Sequence, residues 1–188
     1  MCQVSAGFPF RKAISKMAAG KVFVVQMQDV EAEQNLNWEK LPQVELPSKR
    51  NPSYLRDGDI LFTTRGGRHS ALAISNVPSK AVTATNLFVL RVSLEAEAIP
   101  EFVAWQINQR PAQRYFASAS TGTHIKNITR PALEQLPFKL PPIEKQIKIV
   151  ELAQLAAREN EILKQIATNR HRQIEALASQ ILKGKAHS

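Results

Sequence analysis

The feature that most constrains the fold is a long stretch without helix breakers, which follows two adjacent prolines. Pro141 and Pro142 set the backbone for the first turn of a helix, and neither proline nor glycine occurs again before Gly184. One uninterrupted helix of roughly 40 residues is predicted, about 60 Å long at about 1.5 Å per residue. A small domain cannot cover a helix of this length, so the sequence predicts a partner along it.

Apolar residues recur along the predicted helix at gaps of three, four and seven or eight, which approximates a heptad seam. Glu159, Arg170 and Gln173 fall in or beside this seam, where polar residues cost stability and can fix a register or a partner. Packing within the chain is the alternative, but no other segment is long enough to cover the helix. We therefore expect a homodimer through the apolar seam, which comprises Ile149, Leu152, Leu163, Ile166, Ile174, Leu177 and Ile181.

Length and composition bound the class of protein. A chain of 188 residues with 44% hydrophobic and 22% charged residues suits one globular domain with an extension. We expect residues 1–140 to form the domain and residues 141–188 the helix. No apolar run approaches the roughly 20 residues of a membrane span, and the N-terminus lacks a signal-peptide layout. The expectation is a cytoplasmic protein that contacts no membrane.

The net charge of +9 favours polyanionic partners such as nucleic acid. No acidic residue occurs between Asp59 and Glu95, or between Glu101 and Glu134. The two spans are predicted to contribute to one positive face. A basic surface without a defined ligand is the alternative. The basic residues in these spans include Arg65, Arg68, Lys80, Arg91, Arg110, Arg114, Lys126 and Arg130.

A glycine-rich loop lies within the first acid-free span. Residues 60–64 and 71–74 are predicted strands on either side of it, and its glycines would let backbone amides approach a phosphate closely. It is not a Walker loop, because the Gly-Lys-Ser/Thr ending is absent. A structural hairpin with incidental basic residues is the alternative. The predicted DNA contacts here are Thr64, Arg65, Gly66, Gly67, Arg68 and His69.

Other segments add polar candidates. Residues 21–28 are a predicted strand with polar side chains at its exit, residues 35–52 a predicted irregular connection, and residues 118–128 a hydroxyl-rich loop. A strand over residues 83–92 and helices that begin near Pro100, Pro111 and Arg130 complete the expected elements. The further predicted DNA contacts are Gln26, Gln28, Lys49, Arg50, Thr121, Thr123 and Lys126.

No catalytic constellation emerges from the sequence. Cys2 is the only cysteine, which excludes an intrachain disulfide and a thiolate zinc site, and an exposed, inert thiol is expected. The four histidines lack ligand spacing. Residues 51–54, Asn-Pro-Ser-Tyr, only approximate the Asn-Pro-Pro-Tyr loop of adenine-N6 methyltransferases, and no glycine-rich cofactor fingerprint precedes them. A binding protein without a cofactor is predicted.

Three segments together resemble the DNA specificity subunit of type I restriction-modification systems. Residues 54–66 contain Leu-x-x-Gly-Asp-Ile-Leu-Phe-x-x-Arg-Gly, and residues 120–128 read Ser-Thr-Gly-Thr-His-Ile-Lys-Asn-Ile. Residues 136–150 are similar to the family pattern Leu-Pro-x-Pro-Pro-x-x-Glu-Gln-x-x-Ile. Lys145, between Glu144 and Gln146, is a small departure from it. Order and spacing agree across nearly the whole chain.

The resemblance implies an α+β fold, a mixed, β-rich target recognition domain followed by one long C-terminal helix that serves as a coiled-coil spacer. Typical members carry two such units, each reading half of a bipartite site in double-stranded DNA. The single unit here implies either a half-subunit that pairs with itself or a solitary relative that serves another defence or modification system. The implied partners are a DNA adenine methyltransferase subunit and a restriction subunit, which would perform the catalysis with S-adenosylmethionine or ATP.

Two other functions stay open at the level of sequence. One is a scaffold module that binds a protein complex through its helix and nucleic acid without sequence preference. The other is a small enzyme acting on DNA, which rests only on Asn-Pro-Ser-Tyr at residues 51–54. Three observations distinguish these functions. Sequence-selective binding of a split duplex favours the specificity subunit, and affinity that merely follows ionic strength favours the scaffold module. Methyl transfer by the isolated chain favours the enzyme.

Overall fold

The computed structural model describes residues 2–10, 14, 20–32, 36–46, 52–93, 95–122 and 126–184. The chain divides into two compact units, Met1–Val150 and Glu151–Ser188. Of the elements in these described residues, the first unit holds the strands, four short helices and the first two turns of the long helix, and the second unit holds the rest of that helix.

Seven strands and five α-helices make up the described part of the chain, together with one turn of 3-10 helix at Trp38–Lys40. The strands are β1 Cys2–Ala6, β2 Val22–Val25, β3 Gln43–Val44, β4 Ile60–Thr63, β5 Ala71–Ala73, β6 Ala81–Thr83 and β7 Leu87–Val92. The helices are α1 Met27–Ala32, α2 Pro100–Ile107, α3 Arg110–Ala119, α4 Arg130–Glu134 and α5 Ile143–Gly184.

The strands form two sheets. The larger sheet has four antiparallel strands in the order β1-β7-β4-β5, and the smaller has the order β3-β2-β6. In the smaller sheet β2 is antiparallel to β3 and parallel to β6. The short turn from Ala84 to Asn86 carries the chain from β6 in one sheet to β7 in the other. This turn therefore brings one end of the smaller sheet beside one end of the larger.

The core lies on both faces of the larger sheet, because side chains alternate along its central strand β4. Ile60 and Phe62 pack with Val103, Ile107 and other residues of the helices α2, α3 and α4. Leu61, between them, packs on the opposite face in a cluster that includes residues of β2, β6 and α1. All of β4 is buried, as expected for a strand covered by helices on one side and by a second sheet on the other.

Prolines start three of the helices, as the sequence predicts. A proline lies in the first turn of each of α2, α3 and α4, where its missing amide donor costs nothing. The Thr129 hydroxyl also accepts from the amide of Ala132 at the start of α4. The predicted strands at residues 60–64 and 71–74 are confirmed as β4 and β5, each one residue shorter than predicted.

Three further predictions are only partly confirmed. The strand predicted over residues 83–92 begins at Leu87 as β7, because Thr83 ends β6 and the Leu87 amide donates to the Ala84 carbonyl at 3.1 Å, which closes a turn between the sheets. The connection at residues 35–52 contains β3 and a turn of 3-10 helix. The strand predicted over residues 21–28 ends at Val25, since the Asp29 carboxylate accepts from the Gln26 amide at 2.8 Å and starts α1.

The N-terminal strand β1 also departs from expectation. Cys2 is half-buried, where an exposed thiol was predicted, because its side chain packs against the core cluster of the larger sheet and helices. Burial raises the pKa of its thiol. The β-branched and small residues of β1 were too few to separate it from a loop by pattern alone.

The long helix predicted after Pro142 is confirmed as α5, which is 42 residues long. Gln146 in its first turns is completely buried. Its amide nitrogen donates to the carbonyls of Glu97 and Pro141, both at 2.7 Å, and its oxygen accepts from the Ile99 amide at 3.0 Å. One side chain therefore fixes the start of α5 to the first unit. In the part of the chain that is described, no helix is long and apolar enough to cross a membrane.

Candidate nucleic-acid interface

The glycine-rich loop and the hydroxyl-rich segment lie side by side through backbone hydrogen bonds. Arg65 forms an antiparallel bridge with Asn127. On either side of it, the Gly66 amide donates to the Lys126 carbonyl at 3.2 Å, and the Ile128 amide donates to the Thr64 carbonyl at 2.9 Å. Two segments that are far apart in sequence, one from each acid-free span, therefore form one continuous surface.

The second segment folds back on itself to make this contact. The amides of Thr121 and Asn127 each donate to the other's carbonyl, at 3.0 and 2.9 Å. The Thr121 hydroxyl donates to the same Asn127 carbonyl at 3.3 Å, which engages its proton within the loop. Gly122 has φ of +101°, a left-handed conformation that favours glycine. Thr121 is exposed, and its backbone and hydroxyl close the loop that presents Lys126.

Two of the predicted contact residues are buried. Thr64 donates to the Asn86 carbonyl with its hydroxyl at 3.0 Å and with its amide at 3.1 Å. His69 is 3% exposed, and its ring stacks on Phe62 and meets Phe116 in a T-shaped contact. Since a carbonyl can only accept, the contact of 2.9 Å from Nδ1 of His69 to the Thr63 carbonyl puts the ring proton on Nδ1.

The prediction that the side chains of Thr64 and His69 contact DNA is therefore corrected. The pattern of a glycine-rich loop with basic neighbours placed His69 at the exposed tip. In the structure the chain has already turned back toward β5 at this residue, and the aromatic residues of β4 and α3 cover its ring. Both side chains act as framework beneath the loop.

Five of the predicted contacts are exposed or partly exposed beside each other. Arg65, Gly67, Arg68 and Lys126 are exposed, and Gly66 is half-buried with φ of +121°. Within the described ranges, the ion pairs Arg91–Asp59 and Arg130–Glu134 and the contact of His171 with Glu175 lie elsewhere, so none involves this surface. We call the surface formed by Arg65, Gly66, Gly67, Arg68 and Lys126 the basic loop surface. It carries positive charge and backbone amides without an acidic residue in either of its segments.

Arg91 has a structural role and does not contribute to the positive face that was predicted from charge. Its guanidinium forms two hydrogen bonds of 2.7 Å with the carboxylate of Asp59, which is 1% exposed. Asp59 also accepts from the Arg56 amide at 2.9 Å. The hydrogen bond to Asp59 is the main cause that raises the pKa of Arg91. The pair links the start of β4 to β7, at the opposite end of these strands from the basic loop surface.

The end of the smaller sheet lies close to the framework of the basic loop surface. The Ala84 amide donates to the Val25 carbonyl at 2.8 Å, and Asn86, two residues on, accepts from Thr64. Gln26 follows Val25 directly and is half-buried, and Gln28 is exposed in the first turn of α1. Both predicted glutamines therefore belong to the end of the smaller sheet at which the chain crosses to the larger one. Lys49, Arg50 and Thr123, also predicted contacts, lie outside the described residues.

Sequence reasoning missed the residues that build this framework. Asn127 and Asn86 supply backbone groups that join the segments, and Asn108 and Gln113 hold the far side of the loop through their side-chain amides. None of them carries a charge or a motif that marks it as functional. Asn127 alone lies in a segment that was singled out, within the run at residues 120–128.

Three solved structures are similar in fold to this chain. One match is a chain from a structural study of complex assembly and conformational transition of the type I R-M system, with a TM-score of 0.66 and 17% identity over 97% of this chain. Another is the HsdS subunit from Thermoanaerobacter tengcongensis, with a TM-score of 0.58 and 17% identity over 87% of this chain. The S subunit of the type I restriction-modification system from M. genitalium matches with a TM-score of 0.50 and 14% identity, also over 87% of this chain.

The chain spans only 42%, 37% and 38% of the length of these three chains, respectively. No curated protein matches its sequence. The sequence profile of the type I restriction modification DNA specificity domain matches residues 1–169, which include the whole first unit and the first part of α5 beyond it. The chain belongs to the family of type I restriction modification DNA specificity domains.

Proposed function

We propose that this chain is the specificity subunit of a type I-like restriction-modification system and that it reads one half of a bipartite site in double-stranded DNA. The observation that carries the proposal is the basic loop surface, in which Arg65 and Lys126 are held together by backbone pairing of their segments. Membership of the specificity-domain family supports the same function.

The chemistry of the basic loop surface suits a duplex. Exposed guanidinium and ammonium groups neutralise phosphates, and glycine lets backbone amides approach the phosphate oxygens. Arginine also binds the guanine edge in the major groove through two hydrogen bonds, so Arg65 and Arg68 are candidates for base readout. Gln26 and Gln28 are further candidates, because a glutamine amide pairs with adenine in the same way. Lys49, Arg50 and Thr123 remain proposed contacts on sequence grounds alone.

We also propose that two copies pair through the apolar seam of α5, so that the dimer reads two half-sites. The seam residues beyond Ile149 are exposed in the single chain, from 44% for Ile166 to 67% for Leu152. Pairing would remove this apolar surface from water, which would stabilise the dimer by about 25 cal/mol for each Å² buried. A symmetric dimer would accordingly recognise a split palindrome.

The charges of α5 favour an antiparallel pair. Residues 143–163 contain four acidic and three basic residues, a net charge of −1, whereas residues 164–184 contain one acidic and four basic residues, a net charge of +3. An antiparallel arrangement places unlike halves opposite each other, and a parallel arrangement places the two basic halves together. Unlike charges flanking a coiled-coil seam select the orientation of the helices.

The remaining proposals concern partners. A DNA adenine methyltransferase subunit, and a restriction subunit where the system cleaves, would supply the catalysis and their own cofactors. This chain would recognise the DNA sequence and act in the cytoplasm. The domain boundary at residues 140 and 141 separates the reading function from the proposed spacer function, although the compact first unit extends to Val150.

Selection from a pool of random duplexes tests the proposal, with the purified protein alone and together with its methyltransferase partner. The expected result is enrichment of a motif with two short specified halves around an unspecified gap. Binding without enrichment, with an affinity that changes only with ionic strength, would instead support the scaffold function. Methyl transfer by the isolated chain would support the enzyme alternative.

A further inference from the structure

Two side-chain amides hold the exit of the glycine-rich loop. Gln113 donates from Nε2 to the His69 carbonyl at 2.7 Å, and its Oε1 accepts from the His69 amide at 3.3 Å. Asn108 repeats the arrangement two residues later, since it donates to the Ala71 carbonyl at 2.8 Å and accepts from the Ala71 amide at 2.9 Å. Because β5 is an edge strand of the larger sheet, the two amides take the place of a neighbouring strand.

The loop is anchored at its entrance as well. Thr64 is fixed to Asn86 by two hydrogen bonds and to the Ile128 amide by a third. Between the two anchors lie only residues 65–68, the part of the chain that carries the exposed arginines. The conformation of this short stretch therefore depends on both anchors. At the exit the Thr63 amide donates to the Ser70 carbonyl at 2.9 Å on the side of β4, and on the other side the two side-chain amides hold His69 and Ala71.

We infer that Gln113 and Asn108 are positioning residues, which hold residues 65–68 in the conformation that contacts a duplex. This inference rests on the proposed function. A loop that is already ordered loses less conformational entropy when it binds, so its affinity is higher than that of the same residues in a mobile loop. Gln113 has the larger role of the two, because it also donates to the Ile107 carbonyl at 2.9 Å and so ties the loop to the end of α2.

The same fold contains a matched control. Gln106 in α2 donates to the Lys139 carbonyl and accepts from the Lys139 amide, both at 2.8 Å. This pair of hydrogen bonds is chemically the same as that of Gln113, but it holds the segment before α5 and not the loop. Gln106→Met therefore removes an equivalent interaction without touching residues 65–68.

The experiment measures the dissociation constant of a labelled duplex recovered by the selection, for Gln113→Met, Asn108→Leu and Gln106→Met. We expect Gln113→Met to weaken binding about tenfold, equivalent to about 1.4 kcal/mol, and Asn108→Leu to weaken it less. In the absence of DNA, hydrogen exchange at the amides of residues 66–69 should be faster in Gln113→Met and Asn108→Leu than in the wild-type chain. Gln106→Met should leave the affinity and the exchange of these amides unchanged.

A fourth variant separates positioning from general destabilisation. Gln113→Glu keeps the acceptor for the His69 amide but loses both donors, and its carboxylate faces the carbonyls of His69 and Ile107. Protonation restores one donor, and the two carbonyls raise the pKa of the introduced carboxyl. Binding by this variant should therefore recover toward wild type as the pH falls from 8 to about 5, while that of Gln113→Met does not.

Equal loss of affinity in Gln106→Met and Gln113→Met would overturn the inference, since the effect would then be one of overall stability. Wild-type affinity in both Gln113→Met and Asn108→Leu would overturn it as well. Failure of the wild-type chain to bind any duplex would contradict the proposed function instead, because the comparison between variants requires a wild-type complex.

Discussion

The backbone of Arg65 is paired with the backbone of Asn127, and this bridge joins the two acid-free spans of the chain. Neither span forms the basic loop surface alone, because the first contributes the arginines and the second contributes Lys126. The hydrogen bonds on either side of the bridge fix the separation of these charges. A surface held in this way can match the spacing of phosphates on a duplex at a lower entropic cost than two independent loops.

Removal of charge from this surface should weaken DNA binding. For Arg65→Ala and Lys126→Ala we expect affinity to fall and the slope of log K against log salt to decrease by about 1 for each lost phosphate contact. If one of the arginines reads a base, its replacement should cost about 1–3 kcal/mol of binding free energy and relax specificity at one position of the site. Fluorescence anisotropy over a salt series measures both. Arg56→Ala is the control, since this exposed arginine precedes β4 at the other end of the strand; an equal loss there would indicate a general charge effect.

The two glycines of the loop should respond differently to alanine. Gly66 has φ of +121°, where an L residue is strained, so Gly66→Ala should destabilise the protein by about 1–3 kcal/mol or distort the loop. A Cβ on Gly67 would have no atom within 4 Å, so Gly67→Ala should fold normally. Urea denaturation and duplex affinity of the two variants provide the comparison. Similar stability of both would show that the loop adapts to a side chain at residue 66.

The Asp59–Arg91 pair should contribute to stability and not to binding. Arg91→Met leaves the Asp59 carboxylate buried without its cation, which costs about 3–5 kcal/mol for a fully buried pair. Because the Arg91 side chain is 33% exposed, we expect a smaller value, about 2–3 kcal/mol. Arg130→Met removes an exposed pair with Glu134 and should change the free energy of unfolding by at most about 0.5 kcal/mol. Thermal and urea unfolding distinguish the two.

Gln146 should be the most sensitive residue in the first turns of α5. Gln146→Leu leaves the Ile99 amide and the carbonyls of Glu97 and Pro141 without this partner, at a cost of about 2–3 kcal/mol. The exposed Gln154 in the same helix is the control, and Gln154→Leu should be nearly neutral. Equal free energies of unfolding for the two variants would mean that the start of α5 is held mainly by its apolar contacts.

A charge in the apolar seam should prevent dimerisation. Leu163→Lys places an ammonium group in the proposed interface, so light scattering should show a monomer at concentrations where the wild-type chain is a dimer. Gln165→Lys adds the same charge about 200° around the helix from residue 163 and should leave the dimer intact. A wild-type monomer at all accessible concentrations would contradict self-pairing and favour a different helix as the partner.

Elements whose cause is local could be predicted from the order of residues along the chain. Pro141 and Pro142 followed by an unbroken run of helix formers specify α5, since backbone sterics alone decide where such a helix begins. The short apolar run of β4 and the prolines of α2, α3 and α4 are equally local signals. The three family-like segments likewise indicated the family that the profile match confirms.

Contacts between distant segments could not be predicted in this way, because they form only in the folded chain. Folding pairs Arg65 with Asn127, buries His69 between Phe62 and Phe116, and brings Arg91 to Asp59. A charge pattern records which residues are basic, but exposure and ion pairing depend on which strand or helix packs beside each of them. For the same reason the sequence did not reveal Gln113, because an uncharged amide becomes a positioning group only through the backbone that it meets in the folded chain.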